Sequence, residues 1–280
     1  MDLEQALKDS MESGDNQQAA LDYLNKVTDD PHNFPAAVEL FFRIENERSR
    51  LLLSFLIDRF LDKSLSSIDP QLIIDFRTQI LDLFFNNELS IDLSKQIEVI
   101  VSNIAFNQWP EVWPNFIGDI LTIVTEINNT NLTKVFHILS NLVTSFSTSQ
   151  FISLTRRNLL IQELQFKIPD IISLLQSIQI EQVSQSEICT SFVLFIQLYC
   201  KLNLDDSQIC NDIAGFLFSN FAPFIPKTFE ALKNLISKPR IDLNLFNLSI
   251  ENILELIEKS PSDPTEFISF ICQRVDIYFS

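Results

Sequence analysis

The chain has 280 residues, 46% of them apolar and 11% aromatic, which is enough for one elongated domain or two compact ones. It contains three glycines, where an average chain of this length carries about twenty. This scarcity argues against the tight turns of a β-sandwich and the glycine-rich loops of nucleotide-binding folds. A net charge of −17 disfavours nucleic acid and anionic membranes and favours a basic protein partner, although solubility alone is an equal explanation.

Apolar side chains recur at helical spacing along the chain, and short polar gaps separate the runs. Asp69 and Pro70 form a typical helix start, with aspartate as the cap and proline in the first turn. Ser90 or Asp92 is predicted to cap a later helix. In chain order, the predicted helices span 2–13, 16–27, 35–44, 46–62, 70–86, 93–109, 114–127, 130–146, 151–178, 186–201, 206–220, 226–237, 243–259 and 264–279.

The predicted helices follow one another in pairs, and the pair period of about 35–45 residues lies in the range of HEAT repeats. Many of them carry apolar faces wider than one third of the helix surface. A helix in a two-layer solenoid needs such a face, because it packs on its hairpin partner and on the neighbouring pairs. The prediction is an all-α fold, an α-solenoid of HEAT-like hairpins in a single domain over 1–280 with about six to seven pairs. A compact helical bundle is the alternative.

Both tryptophans of the chain lie in one short string, and each is followed by proline. Proline lacks a backbone N–H and disfavours a helical conformation in the residue before it. We therefore expect Trp109 to close one helix and Pro114 to open the next. The side chains of Trp109, Pro110, Trp113, Pro114 and Phe116 are interpreted as packing of the turn, with an exposed partner contact as the alternative.

This Trp-Pro-x-x-Trp-Pro-x-Phe string resembles the turn between the third and fourth helical repeats of exportins in the importin-β superfamily. Within them it is most similar to exportins that carry leucine-rich export signals. The flanking segments 99–105 and 116–121 agree, and the resemblance extends from the first helix to about residue 220. Near Asp58 the family shows an aromatic pair, a glycine and an acidic residue. Here Leu52 and Leu53 replace the pair, and Ser54 replaces the glycine.

The resemblance implies a right-handed superhelical arch whose inner helices, the second of each pair, bind the small GTPase Ran in its GTP form. It implies a nuclear export receptor that moves between nucleus and cytoplasm through the nuclear pore. Protein cargo and nuclear pore proteins are expected partners of a longer chain, because the family's cargo groove lies beyond residue 280. No cofactor, metal site, direct nucleic-acid contact or membrane insertion is predicted.

Polar or small residues on the predicted inner helices are the candidate Ran contacts. Acidic groups among them suit a GTPase with basic patches, because opposite charges steer association as well as bind. An ordinary solvated helix face is the alternative for each residue. The candidates are Gln18, Asp22, Arg50, Ser54, Asp58, Gln96, Asn103 and Asn107.

Catalysis is not predicted, because His32 and His137 lack a serine or cysteine partner in any recognisable motif. Two other functions stay open. One is an importin-type receptor of the same superfamily. The other is a HEAT-repeat scaffold without Ran binding, which the missing aromatic pair at Leu52 and Leu53 favours.

Overall fold

Ten α-helices account for most of the part of the chain that the structure describes, and that part contains no strand. The computed structural model describes residues 2–12, 14–127, 131–149, 152–177, 182–200 and 213. The helices are α1 Leu3–Met11, α2 Gln17–Val27, α3 Phe34–Arg43, α4 Glu47–Ser64, α5 Pro70–Asn86, α6 Ile91–Gln108, α7 Phe116–Ile127, α8 Asn131–Thr148, α9 Leu154–Ser177 and α10 Gln182–Cys200, with 3₁₀ turns at Pro31–Asn33 and Leu65–Ser67. The prediction of an all-α fold is confirmed.

Four predicted helices lie outside the described residues. They are 206–220, 226–237, 243–259 and 264–279, apart from residue Ile213, which is helical and buried.

Side-chain caps determine where several helices begin. Asp69 accepts a backbone N–H of the first turn of α5 at 2.9 Å, and Pro70 is the first helical residue, as predicted. Ser90, rather than Asp92, caps α6 by accepting a backbone N–H at 3.4 Å. A capping oxygen satisfies one of the backbone donors that a helix start leaves without a partner, which stabilises the helix by about 1 kcal/mol.

The helix after the two tryptophans begins later than predicted. α6 ends at Gln108 with Trp109 as its cap, as expected, but Pro114 lies in the turn. α7 begins at Phe116, whose backbone N–H donates to the Trp113 carbonyl at 3.2 Å. Proline is favoured both in turns and at the first helical position, so the sequence pattern alone does not separate the two placements.

The chain divides into two compact units, the first ending at Phe116 and the second starting at Ile117. In the first unit, side-chain contacts join α3 to α1 and α5 in one layer, and join α4 to α2 and α6 in the second layer. Helices α1 and α2, α3 and α4, and α5 and α6 pack as pairs, and α4 also lies along α6. Wide apolar faces on these helices are explained by this arrangement, which is that of an α-solenoid.

Phenylalanine rings fill the space between the layers of the first unit. Phe34 on α3 meets Phe60 on α4 with ring centroids 5.9 Å apart and Phe76 on α5 at 5.7 Å. Both contacts are edge-to-face, the arrangement that the charge distribution of aromatic rings favours. All three rings are buried, so this cluster joins the hairpin of α3 and α4 to that of α5 and α6.

Rings also fill the interior of the second unit, where α8 packs along α10. Phe136 on α8 lies 5.0 Å from Phe192 and 6.1 Å from Phe195 on α10, measured between ring centroids. Phe195 in turn contacts Tyr199 at 6.0 Å. Burial of these four rings, each with less than 2% of its surface exposed, stabilises the contact between α8 and α10.

Candidate functional site

All eight predicted partner contacts belong to the three helices of the second layer of the first unit. Gln18 and Asp22 lie on α2, both exposed, and the Gln18 side-chain amide donates to Asp22 Oδ1 at 3.0 Å. They are one helical turn apart, so the bond joins neighbours on the same face. These two side chains are available at the surface.

Arg50 is half-buried and bonded to the end of the preceding helix. Its Nη2 donates to the Ile44 backbone carbonyl at 2.6 Å, at the end of α3. A guanidinium group suits this place, because the last carbonyls of a helix have no helical partner and carry partial negative charge. Arg50 therefore ties α4 to α3.

Ser54 is fully buried and does not lie on the surface of the second layer, contrary to the expectation for a direct contact. Its hydroxyl donates to the Leu51 backbone carbonyl at 2.6 Å, so its polar group is satisfied within α4. A serine that bonds its own helix is small enough to pack in an apolar interface.

Three other candidates come together where α4 meets α6. Asn103 Nδ2 donates to Asp58 Oδ1 at 2.7 Å, and Gln96 Nε2 donates to Asp58 Oδ2 at 3.3 Å. Gln96 is buried, whereas Asp58 and Asn103 are half-buried. The two oxygens of one carboxylate thus each accept a side-chain amide from the neighbouring helix. Asn107, one turn beyond Asn103, is exposed and donates to the Asn103 backbone carbonyl at 2.8 Å.

Burial raises the pKa of Asp58, because the charged carboxylate loses water. The hydrogen bond from Asn103 opposes this rise in pKa, the negative charge of Asp62 adds to it, and the bond from Gln96 opposes it again. Loss of hydration also raises the pKa of Asp62, one turn further along α4, although its side chain is exposed overall. Burial therefore outweighs the two amide donors, and no cation compensates the Asp58 carboxylate within the described residues.

Phe55 is an exposed aromatic residue of the same helix that the sequence analysis did not single out. It exposes 47% of its surface, although its neighbours Leu53, Leu56 and Phe60 are buried. The sequence pattern gives no warning of this, because a phenylalanine at helical spacing normally belongs to the core.

The Trp-Pro turn, residues 109–116, is a buried aromatic cluster. Trp109 and Trp113 expose 1% and 2% of their surfaces. Phe116 lies 6.0 Å from Trp109 and 4.8 Å from Trp113, measured between ring centroids. The Trp109–Pro110 peptide bond is cis, and Pro114 is exposed at the tip of the turn. The five motif residues therefore build one turn around three packed rings.

Arg77 on α5 completes this turn and was missed by the sequence analysis. Its guanidinium carbon lies 4.2 Å from the centroid of the Trp113 ring, and its Nη1 donates to Gln108 Oε1 at 3.5 Å. A cation over an indole face is attracted by the negative face of the ring. Nothing in the local sequence around residue 77 indicates a partner 36 positions away.

The family model for exportin 1-like proteins matches residues 92–268, which is more than half of the chain. The matched segment starts within α6 and includes the whole Trp-Pro turn. The chain belongs to the exportin 1-like family. No curated protein matches it.

Exportin 1-like proteins are nuclear transport receptors and not a family of enzymes. Of the candidate contacts in this exportin 1-like chain, Gln96, Asn103 and Asn107 lie inside the matched segment, and the residues of α2 and α4 precede it. In the described ranges no group of three histidine, cysteine, aspartate or glutamate residues is placed to bind a metal ion. None of the described helices is long and apolar enough to span a membrane.

Proposed function

We propose that this protein is an exportin-type nuclear transport receptor whose second layer, α2, α4 and α6, binds Ran in its GTP form. Membership of the exportin 1-like family supports the transport role. The observation that carries the binding surface is the carboxylate of Asp58, held half-buried between α4 and α6 by Gln96 and Asn103.

A carboxylate in this position favours a cationic partner. Burial costs the charged group hydration, and amide donors return only part of it. A lysine or arginine from a partner would supply the missing compensation, and the net charge of −17 would steer such a partner to the chain. A GTPase with basic patches fits both requirements.

The rest of the proposal follows the family resemblance. We propose that residues 1–280 belong to one HEAT-repeat region of a receptor that moves between nucleus and cytoplasm. Within the family, we propose that its nearest functional relatives are the exportins for leucine-rich export signals. Protein cargo and nuclear pore proteins are proposed partners if these residues stand in a longer chain. The opposite, importin-type direction is distinguished by whether Ran and cargo oppose each other's binding.

A scaffold without Ran binding is the second candidate, and two observations favour it. Ser54 is buried and Arg50 is bonded to the end of α3, so two of the candidate contacts are committed to the fold. The candidate residues that stay exposed, Gln18, Asp22 and Asn107, would then bind other proteins.

The test is binding of the full chain to Ran loaded with a non-hydrolysable GTP analogue or with GDP, measured by calorimetry. The proposal predicts binding of the GTP form alone. Asp22→Lys/Asp62→Lys on the second layer should weaken it by about tenfold or more, because two attractive contacts become repulsive. Asp75→Lys/Asp82→Lys on α5 is the matched control with the same charge change, and its affinity should stay near that of the wild type. Equal, weak binding of both nucleotide forms would favour the scaffold.

A further inference from the structure

The outward face of α4 divides into three lines of side chains. At 3.6 residues per turn, Phe55 and Asp62 lie on nearly the same line, with Asp58 displaced to one side and Arg59 to the other. The contacts agree with this geometry. Asp58 is bonded to Asn103 on α6, whereas Arg59 Nη1 donates to Asn25 Oδ1 on α2 at 2.9 Å.

The cations of α4 nearest to Asp58 and Asp62 are directed away from this central line, whereas Arg48 lies on the line two turns before Phe55. Lys63 Nζ lies 2.6 Å from Asp29 Oδ1, beyond the end of α2, and Arg59 also points towards α2. In the described part of the chain, no hydrogen bond or ion pair involves Asp62, whose side chain is exposed. The protein thus leaves the carboxylates of Asp58 and Asp62 without a cation, although Arg59 and Lys63 lie beside them on the same helix.

Phe55 adds an apolar element to the same line. Leu51 and Leu52, one turn before it, are half-buried. Single exposed apolar side chains are common on protein surfaces. An exposed aromatic ring in line with carboxylates that lack a cation is more specific, because aromatic anchors surrounded by charged groups are typical of protein interfaces.

We infer that Phe55 and Asp62, with Asp58 beside them, form the principal contact for the GTPase of the proposed function, on which this inference rests. The geometry points to a partner segment that presents an apolar side chain over Phe55 and a lysine or arginine over Asp62. Seven residues of helix separate these two positions, so the two partner groups lie about 10 Å apart. The negative charge of the two carboxylates favours a cationic partner segment over a neutral one.

The experiment measures the Kd of the full chain for Ran loaded with a non-hydrolysable GTP analogue. Phe55→Ala is expected to weaken binding by about tenfold or more, as for other central aromatic contacts. Phe166→Ala on α9 is the matched control, because Phe166 is even more exposed, at 83%, but lies in the other unit. Its Kd should agree with that of the wild type.

Charge is tested separately from shape. Asp62→Asn keeps the size of the side chain and removes its charge, and should weaken binding severalfold, mostly through a slower association that depends less on salt. Both variants should keep the wild-type circular dichroism and unfolding midpoint, since the changed groups are exposed.

The outcomes separate the two proposals. If the wild type binds and Phe55→Ala and Asp62→Asn bind equally well, the inference is wrong and the proposed function stands. If the wild type does not bind the GTP form, the proposed function and this inference both fail. Loss of affinity in Phe166→Ala as large as in Phe55→Ala would also overturn the inference, because the effect would not depend on α4.

Discussion

The α4–α6 and α8–α10 pairs are each formed by alternate helices of one unit, and different chemistry joins them. Between α8 and α10, the rings of Phe136, Phe192 and Phe195 pack within 5.0–6.1 Å. Between α4 and α6, amides bind the Asp58 carboxylate, and Glu47 Oε1 accepts the Ser90 backbone N–H at 3.0 Å.

The difference separates residues that stabilise a unit from residues that are available to a partner. Buried rings gain free energy from leaving water and gain more from close packing, so their faces are used up by the fold. A half-buried carboxylate with amide donors stays hydrated on one side and can still accept a cation. We therefore expect substitutions at the aromatic pair to change mainly stability, and those at the polar pair to change mainly binding.

The largest expected effect is that of Phe136→Ala. Phe136 is fully buried against two rings, so its removal leaves a cavity and lowers the free energy of unfolding by about 3–5 kcal/mol. Denaturant unfolding followed by circular dichroism measures the change. Phe166→Ala, which removes an exposed ring, should stay within about 0.5 kcal/mol of the wild type. Equal losses of unfolding free energy in both variants would show that a ring buried between α8 and α10 stabilises the protein no more than an exposed ring does.

Asn103→Ala comes next, since it removes one of the two donors to Asp58. The half-buried carboxylate then keeps the single bond from Gln96, and the unfolding free energy at pH 7 should fall by about 1–2 kcal/mol. Asn107→Ala is the control on the same helix, one turn away and exposed. A loss at Asn107 that matches the loss at Asn103 would show that the Asp58 bond contributes nothing.

Arg77→Ala tests how much the contact between α5 and the Trp-Pro turn contributes to stability, separately from the contact between α4 and α6. Loss of the cation over Trp113 should lower the unfolding free energy by about 1 kcal/mol and shift tryptophan fluorescence to longer wavelength. Both tryptophans of the chain lie in this turn, so the signal has one source. Arg43→Ala, which breaks exposed ion pairs on α3, should leave the emission maximum in place. An unchanged spectrum in Arg77→Ala would contradict the contact.

The smallest effect is expected for Asp58→Asn, and its sign depends on pH. The folded-state pKa of Asp58 lies above its ordinary value of 3.8, so the stability that this group contributes is present below pH 3.8 and is lost as the pH rises through the raised pKa. The asparagine variant has no such loss. It should equal the wild type at low pH and be at least as stable at pH 7. Unfolding at a series of pH values checks this, and a wild type that gains stability over the variant with rising pH would contradict it.

Local signals in the sequence were sufficient for the ten described helices and most of their ends. Asp69 with Pro70 predicts the start of α5, because capping needs only residues within one turn of each other. The Trp-Pro turn was placed correctly for the same reason at Trp109. At Pro114 the prediction was wrong, since turn and helix start accept the same residue.

The surface of the second layer could be predicted only in part. Gln18, Asp22 and Asn107 lie exposed as polar residues of a helix face normally do. Ser54 and Phe55 have the opposite burial from what their side chains suggest, because packing between helices decides which face is covered. The bonds of Asp58 and the place of Arg77 join residues more than 30 positions apart, and no local pattern encodes such pairs.

The pairwise stacking of the first unit also bears on how the chain folds. Its main contacts join helices that are neighbours in sequence or one helix apart, from α1 with α2 to α5 with α6. Chains dominated by such short loops fold quickly, since little chain entropy is lost before the first contacts form. All residues that form the contact between α1 and α2 are synthesised before the rest of the unit. Assembly of the first unit can therefore proceed from its amino terminus while translation continues.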